Sequence, residues 1–236
     1  MGAHIGAPLQ KRDIQLMSNI DFGLTADDYA KHRAGFPESF FERLAGMGIG
    51  TSGQRIVDLG TGTGTLARGF ARRGCAVIGI DPAAAMLEQA KQLGEAEGVQ
   101  VEYRVASAEQ TGLGDASADV VTAGQCWHWF DGNAAAREVW RVLRPAGTAV
   151  IAHFDWIPLK GNMVEATEQL IVAHNPNWKN GGTTGLYPRW LGHLAENGFS
   201  DLQTFSYDVF VPYTPEAWRG RIRASAGVGA SLPRIK

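Results

Sequence analysis

Short apolar runs alternate, through residues 55–154, with segments in which apolar residues recur every three or four positions. The short runs predict strands at residues 55–59, 75–80, 119–123 and 148–154, and the alternation of apolar and polar residues at 99–105 predicts a fifth, half-buried strand. The helical spacing predicts helices at 26–34, from Pro37, from Leu66, from Pro82 and at 133–143. Strands separated by helices join a parallel sheet through right-handed crossovers. We therefore expect an α/β protein with a doubly wound, mostly parallel sheet and helices on both faces.

Residue types within these segments make the expectation more specific. Glycine commonly ends a helix, so Gly94 is expected just past the end of the helix that Pro82 begins. In the last of these helices, Trp140 is expected to face the core. The less regular remainder predicts helices at 164–173 and 215–224 and a sixth strand at 202–211.

The composition indicates one folded domain with a short extension. The chain has 236 residues, of which 44% are hydrophobic and 19% charged, enough for a sizeable core. We expect an N-terminal extension at 1–20 and a single domain at 21–236. The first sixteen residues lack the apolar core of a signal peptide, and Met17 could equally be the natural start. No apolar run approaches the roughly 20 residues that cross a bilayer, so no membrane partner is expected.

Charge and metal-ligand residues exclude other classes of function. The net charge of −2 and a pI near 6.3 argue against a nucleic-acid partner, whose phosphates attract basic proteins. Cys75 and Cys126 form no metal or disulfide pattern and indicate a reducing, cytoplasmic location. The histidines beyond residue 150 are spread too widely to predict a metal site.

A glycine-rich turn is the clearest chemical signal. The segment Val57-Asp-Leu-Gly-Thr-Gly-Thr-Gly64 connects the first strand to the next helix. Glycine tolerates positive φ and lets a ligand lie against the backbone. Asp81 ends the second strand, where it can accept hydrogen bonds from ribose hydroxyls, cap the helix that follows, or do both. Both features fall at carboxyl ends of strands, where open α/β sheets bind ligands.

In these residues the sequence resembles the class I S-adenosylmethionine-dependent methyltransferases. More narrowly, it is similar to their small-molecule branch, which includes trans-aconitate and ubiquinone/menaquinone-type enzymes. The resemblance covers about residues 25–155. It is carried, in the family's order, by the glycine-rich segment, Gly79-Ile-Asp-Pro82, Ala108-Glu109, Ala118-Asp-Val-Val121, His128-Trp-Phe130 and Leu143-Arg-Pro-Ala-Gly147.

The resemblance implies a role for each matching residue. Asp58 helps to hold the methionine amino group of the cofactor. The methionine part of the cofactor is faced by the backbone of Gly60, Thr61, Gly62 and Gly64. Asp81 binds the ribose, and Pro82 and Met86 line the adenine side. Ala108, beside Glu109, offers backbone contacts to the adenine edge, and Gln125 lies near the sulfonium.

Three further positions match the family less closely. Members often have Asp before the Ala-Glu pair, whereas this chain has Ser107, which puts a charged hydrogen bond to the adenine amine in doubt. Tyr29 and Arg33 lie on the leading helix, where members often place a carboxylate-binding arginine. A solvated arginine and a core tyrosine are the plain structural alternative.

Methyl transfer needs alignment above all, and a base only when the nucleophile must lose a proton. His128 is the titratable residue predicted at the carboxyl end of the fourth strand, so it is the candidate catalytic residue. It could equally be a structural histidine. Trp127, Trp129 and Phe130 beside it are expected to pack in the core, with one free to stack on a flat ligand. Residues 177–188 form a loop that could shape a substrate pocket.

Two other functions stay open. A nicotinamide-dependent dehydrogenase would carry G-x-G-x-x-G, but here the glycines alternate and position 65 is Thr65. A non-catalytic cofactor-binding or partner-binding domain of the same fold is the second alternative. The first hypothesis is methyl transfer from S-adenosylmethionine to an O, C or N atom of a small molecule.

The family's sheet has seven strands, and this sequence supplies at most six. Nothing after Ala224 is patterned as a strand. A missing strand would expose a sheet edge that favours pairing with another chain. A homodimer is therefore a further hypothesis.

Overall fold

The computed structural model describes residues 35–178, 181–225 and 228. Five strands form one sheet in the order β3-β2-β1-β4-β5, and every pairing is parallel. The strands are β1 Arg55–Leu59, β2 Ala76–Asp81, β3 Glu102–Val105, β4 Ala118–Gly124 and β5 Leu143–Ala152. The helices are α1 Glu38–Gly46, α2 Thr65–Ala71, α3 Ala84–Glu97, α4 Gly132–Val142, α5 Met163–His174, α6 Pro188–Glu196 and α7 Pro215–Arg223, with a 3-10 turn at Trp127–Trp129. The predicted doubly wound α/β class is confirmed.

Side chains of the central strands divide the core between the two faces of the sheet. On β1, Ile56 joins the cluster that also contains Phe41 and Phe70, from α1 and α2. Its neighbour Val57 joins a second cluster with Val139 of α4 and Leu194 of α6. Because strand residues alternate between faces, and β1 is buried at every position except Arg55, helices are required on both sides of the sheet.

Two expectations about the helices are wrong. Helix α3 continues through Gly94 to Glu97 and ends at Gly98, whose φ of 68° is left-handed. The Val99 N–H then donates to the Gly94 carbonyl, so the hydrogen bonds of the C-terminal turn decide the end. Trp140 is 54% exposed and packs edge-on against Phe199, beyond α6, instead of entering the core.

The predicted sixth strand is also wrong. Residues 202–214 have no strand structure, and within the described part of the chain β5 pairs with β4 alone. Tyr207 lies against α1, where its ring is 4.0 Å from the Arg43 guanidinium. Alternating residues become a strand only when a neighbouring strand accepts their hydrogen bonds, and this segment lies elsewhere. Helix α6, by contrast, was not predicted, and Pro188 occupies its first turn.

Candidate functional site

The glycine-rich turn lies at the carboxyl end of β1 and is built from left-handed backbone. Gly60, Gly62 and Gly64 have φ values of 57°, 55° and 77°. The Thr61 N–H donates to the Ile80 carbonyl of β2 at 2.9 Å, which ties the turn to the neighbouring strand. Three positive φ angles within five residues are costly for any residue except glycine.

Two of these glycines are also required by close packing. A Cβ on Gly60 would lie 2.8 Å from the Cβ of Cys126, and one on Gly64 would lie 2.5 Å from the Tyr103 hydroxyl. A Cβ on Gly62 would meet only the Met86 methyl, at 3.5 Å. The backbone at Gly62 is therefore the most open part of the turn.

Asp58 lies beneath this turn and is 2% exposed. Its carboxylate accepts hydrogen bonds from the Thr61 hydroxyl at 2.6 Å and the Thr122 hydroxyl at 2.7 Å. Burial raises the pKa of Asp58 to about 6, although both hydroxyl hydrogen bonds act in the opposite direction. The carboxylate therefore fastens the turn to β4, a link through Thr122 that the sequence did not indicate.

Asp81 ends β2 beside the open part of the turn. One carboxylate oxygen accepts from the Gly62 N–H and the other from the Ala83 N–H, each at 2.9 Å. Burial raises the pKa of Asp81, while these two hydrogen bonds lower it. The alternative that Asp81 caps the helix is wrong, because α3 begins at Ala84 with Ala83 as its N-cap and no side-chain cap hydrogen bond. Asp81 instead holds the two turns on either side of it, and each oxygen keeps a lone pair.

Other predicted cofactor residues follow β2 and β3, at the same carboxyl edge of the sheet. Pro82 is exposed, Met86 is buried against the turn, and Ala108 is buried in the loop after β3. Ser107 and Gln110 form a one-residue bridge within that loop. The Glu109 carboxylate accepts from the Asp131 N–H at 3.0 Å and so ties the loop to the start of α4.

Gln125 follows β4 with an unusual backbone. Its φ is 62°, in the left-handed region that non-glycine residues seldom adopt. Its N–H donates to the Ala152 carbonyl at 2.9 Å, and its side-chain amide donates to the Phe154 carbonyl at 2.6 Å. Backbone strain held in place by specific contacts is common at functional sites. Gln125 therefore clamps the end of β5 on both sides of residue 153.

His128 lies on the 3-10 turn after β4 and has an exposed side chain. Its ring centroid is 4.5 Å from that of Trp129 and 5.5 Å from that of His153. Trp127 is buried, as expected, and its indole donates to His193 at 3.2 Å. The structure thus brings His128 to the carboxyl edge of the sheet, next to a histidine that sequence reasoning did not select.

A group of polar and aromatic side chains beside His128 was missed. His153 follows β5 directly, and its ring lies 4.6 Å from Tyr187 and 4.7 Å from Trp190. Asp155 accepts from the Tyr187 hydroxyl. Burial and this hydrogen bond raise the pKa of Tyr187. The position of His153 at the end of a strand was the available signal, but its partners come from a distant loop and from α6.

The remaining predicted features lie outside this cluster. Tyr29, Arg33 and the extension at 1–20 fall outside the described residues. No group of three potential metal ligands occurs in the described ranges, and none of the helices they contain is long and apolar enough to cross a membrane. A cavity of about 840 Å³ opens beside Arg55 and Ala76, the first residues of β1 and β2. Tyr103, whose hydroxyl lies near Gly64, also lines this cavity, but none of the predicted site residues does.

The order of the strands marks the place in the sheet where proteins of this α/β class bind ligands. From β1 the chain proceeds to β2 and β3 on one side of the sheet and then returns to β4 on the other side of β1. The direction in which strands are added therefore reverses between β1 and β4. Open α/β sheets bind ligands at such switch points, outside the carboxyl ends of the strands. The glycine turn and Gln125 flank this switch point.

Comparison with known proteins identifies the domain. Residues 57–151 match the family described as "Methyltransferase domain". The chain is 34% identical over 129 residues to an uncharacterised methyltransferase of Mycobacterium tuberculosis, covering 55% of this chain and 50% of that protein. It therefore spans about half the length of that relative. Residues 57–151 are thus similar to methyltransferase domains, and the sheet has the Rossmann-like α/β fold.

Two more similarities extend beyond the matched segment. A ubiquinone biosynthesis O-methyltransferase of Xanthomonas oryzae pv. oryzae is 29% identical over 180 residues, covering 74% of this chain and 72% of that protein. A crystal structure from Methanococcus maripaludis, described as an S-adenosylmethionine-dependent methyltransferase, superposes with a TM-score of 0.53. It covers 90% of this chain and 93% of its own at 20% identity, which supports the fold.

Proposed function

We propose that this protein is an S-adenosylmethionine-dependent methyltransferase that acts on a small organic molecule. The single observation that carries the proposal is the placement of Asp81 against Gly62, at the carboxyl edge of a sheet that belongs to a methyltransferase domain. A carboxylate beside an open glycine backbone suits a ligand that joins a ribose to a charged chain.

The residues at this edge fit the cofactor. Asp81 uses one lone pair of each oxygen on backbone N–H groups, so it can still accept from two ribose hydroxyls. The backbone at Gly62 is open, with only the Met86 methyl near the position of a Cβ, and leaves room for a ligand. The full set proposed for cofactor binding is Tyr29, Arg33, Asp58, Gly60, Thr61, Gly62, Gly64, Asp81, Pro82, Met86, Ser107, Ala108, Glu109 and Gln125.

The bound cofactor would supply an activated methyl group on a positively charged sulfur. The protein's part is then to hold the two reactants in line at short range and to exclude water. Asp58 would face the ammonium end through the turn that it fastens, and Gln125 would define the edge where the acceptor approaches. Glu109 would keep the loop after β3 closed against α4.

His128 is proposed to contact the acceptor from the exposed side of the site. A hydroxyl or amine acceptor must lose a proton, and an imidazole near neutral pH can accept it. The His128→Gln variant measures whether that proton goes to His128 or to a neighbouring group. Loss of a general base is expected to lower turnover by roughly 10²-fold or more with unchanged cofactor affinity.

The wider assignments rest on the same reasoning. We propose one domain at 21–236, a small-molecule acceptor rather than a nucleic acid, and a cytoplasmic location, since Cys75 and Cys126 are free thiols. Among the described residues β5 pairs with β4 alone, and a sheet edge of this kind supports a homodimer. Light scattering coupled to size-exclusion chromatography tests the dimer, and a clean monomer would contradict it.

The experiment for the main proposal has two arms. Calorimetric titration of S-adenosylmethionine should show micromolar binding, about −8 kcal/mol. Demethylated cofactor should then accumulate only when an acceptor from a small-molecule panel is added. Binding without turnover on any acceptor would favour the non-catalytic alternative. Absence of binding by folded protein would overturn the methyltransferase proposal.

A further inference from the structure

His153 is a buried imidazole at the carboxyl end of β5. Its side chain is only 9% exposed, although it follows the last residue of the strand directly. The rings of Tyr187 and Trp190 stack on each other at 3.9 Å and both lie against it. His128 is its exposed neighbour, at 5.5 Å. The imidazole therefore occupies an aromatic enclosure beside the proposed site.

The hydrogen bonds around Asp155 define where the protons lie. A carboxylate only accepts, so the Tyr187 hydroxyl donates to one oxygen and His153 Nδ1 donates to the other, at 3.3 Å. Because the Tyr187 proton is committed to Asp155, the Thr183 hydroxyl donates to the Tyr187 oxygen at 2.9 Å. In the neutral imidazole the proton is then on Nδ1, which leaves the lone pair on Nε2.

That Nε2 atom has no hydrogen-bond partner among the described residues and is shielded from solvent. Leaving a buried acceptor unsatisfied is unfavourable, and such atoms in native proteins call for an explanation. A ligand that brings a hydrogen-bond donor to Nε2 would satisfy it. The aromatic surroundings favour a donor carried on a flat, largely apolar skeleton.

The position of His153 relates it to the proposed methyl-transfer site. Gln125 donates to the carbonyls of Ala152 and Phe154, the two residues that flank His153. The backbone around His153 is therefore held by Gln125, the residue that follows β4. An imidazole on this edge lies on the side of the switch point where the acceptor would approach.

We infer that His153, oriented by Asp155, recognises a hydroxyl group of the methyl acceptor and takes its proton. The inference rests on the proposed function. The acceptor O–H bond breaks and its proton goes to Nε2, while the oxygen forms a bond to the methyl carbon. The carbon–sulfur bond breaks and its electron pair stays on sulfur. The Asp155 carboxylate stabilises the imidazolium until the methylated product leaves and the proton passes to the solvent that follows it. His128, whose ring lies 5.5 Å away, is the alternative base, and the two variants decide between them: the base is the residue whose replacement by Gln lowers turnover by roughly 10²-fold.

The first measurement is the tautomer of His153 in the full chain. Long-range proton–nitrogen correlation spectra of ¹⁵N-labelled protein, assigned with His153→Gln, should show a protonated Nδ1 and an unprotonated Nε2. Asp155→Asn should shift the tautomer ratio, since an amide can present N–H to Nδ1. His174→Gln, at an exposed helix end, is the matched control and should leave the His153 signals unchanged. A protonated Nε2 in the wild-type protein would overturn the inference.

The second measurement probes the acceptor class with phenol, aniline and toluene, each added in the presence of demethylated cofactor. Phenol should move the Nε2 resonance and toluene should not. His153→Gln should weaken phenol binding by about 2- to 10-fold, the scale of one neutral hydrogen bond. A response to aniline alone, or to none of the probes, would contradict a hydroxyl acceptor. Calorimetry on the same samples separates the two proposals, because cofactor binding that persists leaves the proposed function intact.

Discussion

Replacement of Asp81 by Asn tests the cofactor site most directly. The side chains have the same shape, but Asn is neutral and has one acceptor oxygen. In the native protein both carboxylate oxygens accept backbone N–H groups, from Gly62 and Ala83. The substitution therefore changes two things, the charge presented to a ribose and the attachment of the glycine turn.

The magnitudes of these two effects differ. Hydrogen bonds to a charged group contribute about 1.5–3 kcal/mol, and neutral ones about 0.5–1.5 kcal/mol. Two ribose hydroxyls that lose a charged acceptor should cost about 2–3 kcal/mol, or about 30- to 150-fold in Kd. The Asn amide group also faces one backbone N–H, which should lower the free energy of unfolding by about 1–2 kcal/mol at this half-buried position.

Calorimetry measures the Kd and urea denaturation measures the stability, both near neutral pH. Thr214→Ala is the matched control. It removes the cap that Thr214 provides to the Ala217 N–H at 3.2 Å, which should cost about 1 kcal/mol of stability. It lies at the start of α7 and should leave the cofactor Kd unchanged. A Kd for Asp81→Asn within about threefold of the wild-type value, in folded protein, would refute ribose binding by Asp81.

Three further predictions concern the turn and its surroundings. Gly60→Ala should lower the free energy of unfolding by more than Gly161→Ala. Alanine at either position costs about 1–2 kcal/mol because φ is positive, but only the Cβ at position 60 crowds Cys126. Equal losses in urea denaturation would refute the packing argument. Cofactor affinity should fall as pH drops through about 6, where Asp58 becomes protonated. Calorimetry on Asp58→Asn should show no such fall. A pH-independent Kd for the wild-type protein would mean that Asp58 holds the turn and does not contact the cofactor. Burial lowers the pKa of His193, so the unfolded chain binds a proton at this residue before the folded chain does. The contribution of His193 to the free energy of unfolding should be fully present above pH about 6.5 and be lost as pH falls through the folded-state pKa. His193→Gln should abolish this pH dependence in urea denaturation.

The local features of this fold were predictable because each depends on neighbouring residues. Apolar runs and helical spacing located all five strands and most helices, since burial on both faces leaves a continuous apolar pattern. The glycine turn followed from the alternation of Gly60, Gly62 and Gly64, and Asp81 from its place after a strand. Helix ends were less accurate, as Gly94 shows, because two or three terminal hydrogen bonds decide them.

Contacts between distant segments could not be predicted in the same way. Thr122 reaches Asp58 across neighbouring strands, and Trp140 finds its partner in Phe199. The segment at 202–211 has the alternation of a strand, but a strand requires a free neighbouring edge and the chain takes this segment to α1 instead.

The sequence by itself determined the α/β class, the strand-turn-helix unit, and the glycines and Asp81 that suit a cofactor site. It did so because backbone conformation and burial pattern are encoded within windows of a few residues. Only the tertiary structure decided that His153, Asp155 and Tyr187 form one hydrogen-bonded group. Their proximity depends on how a loop and α6 return to the end of β5, which long-range packing decides and no local pattern records.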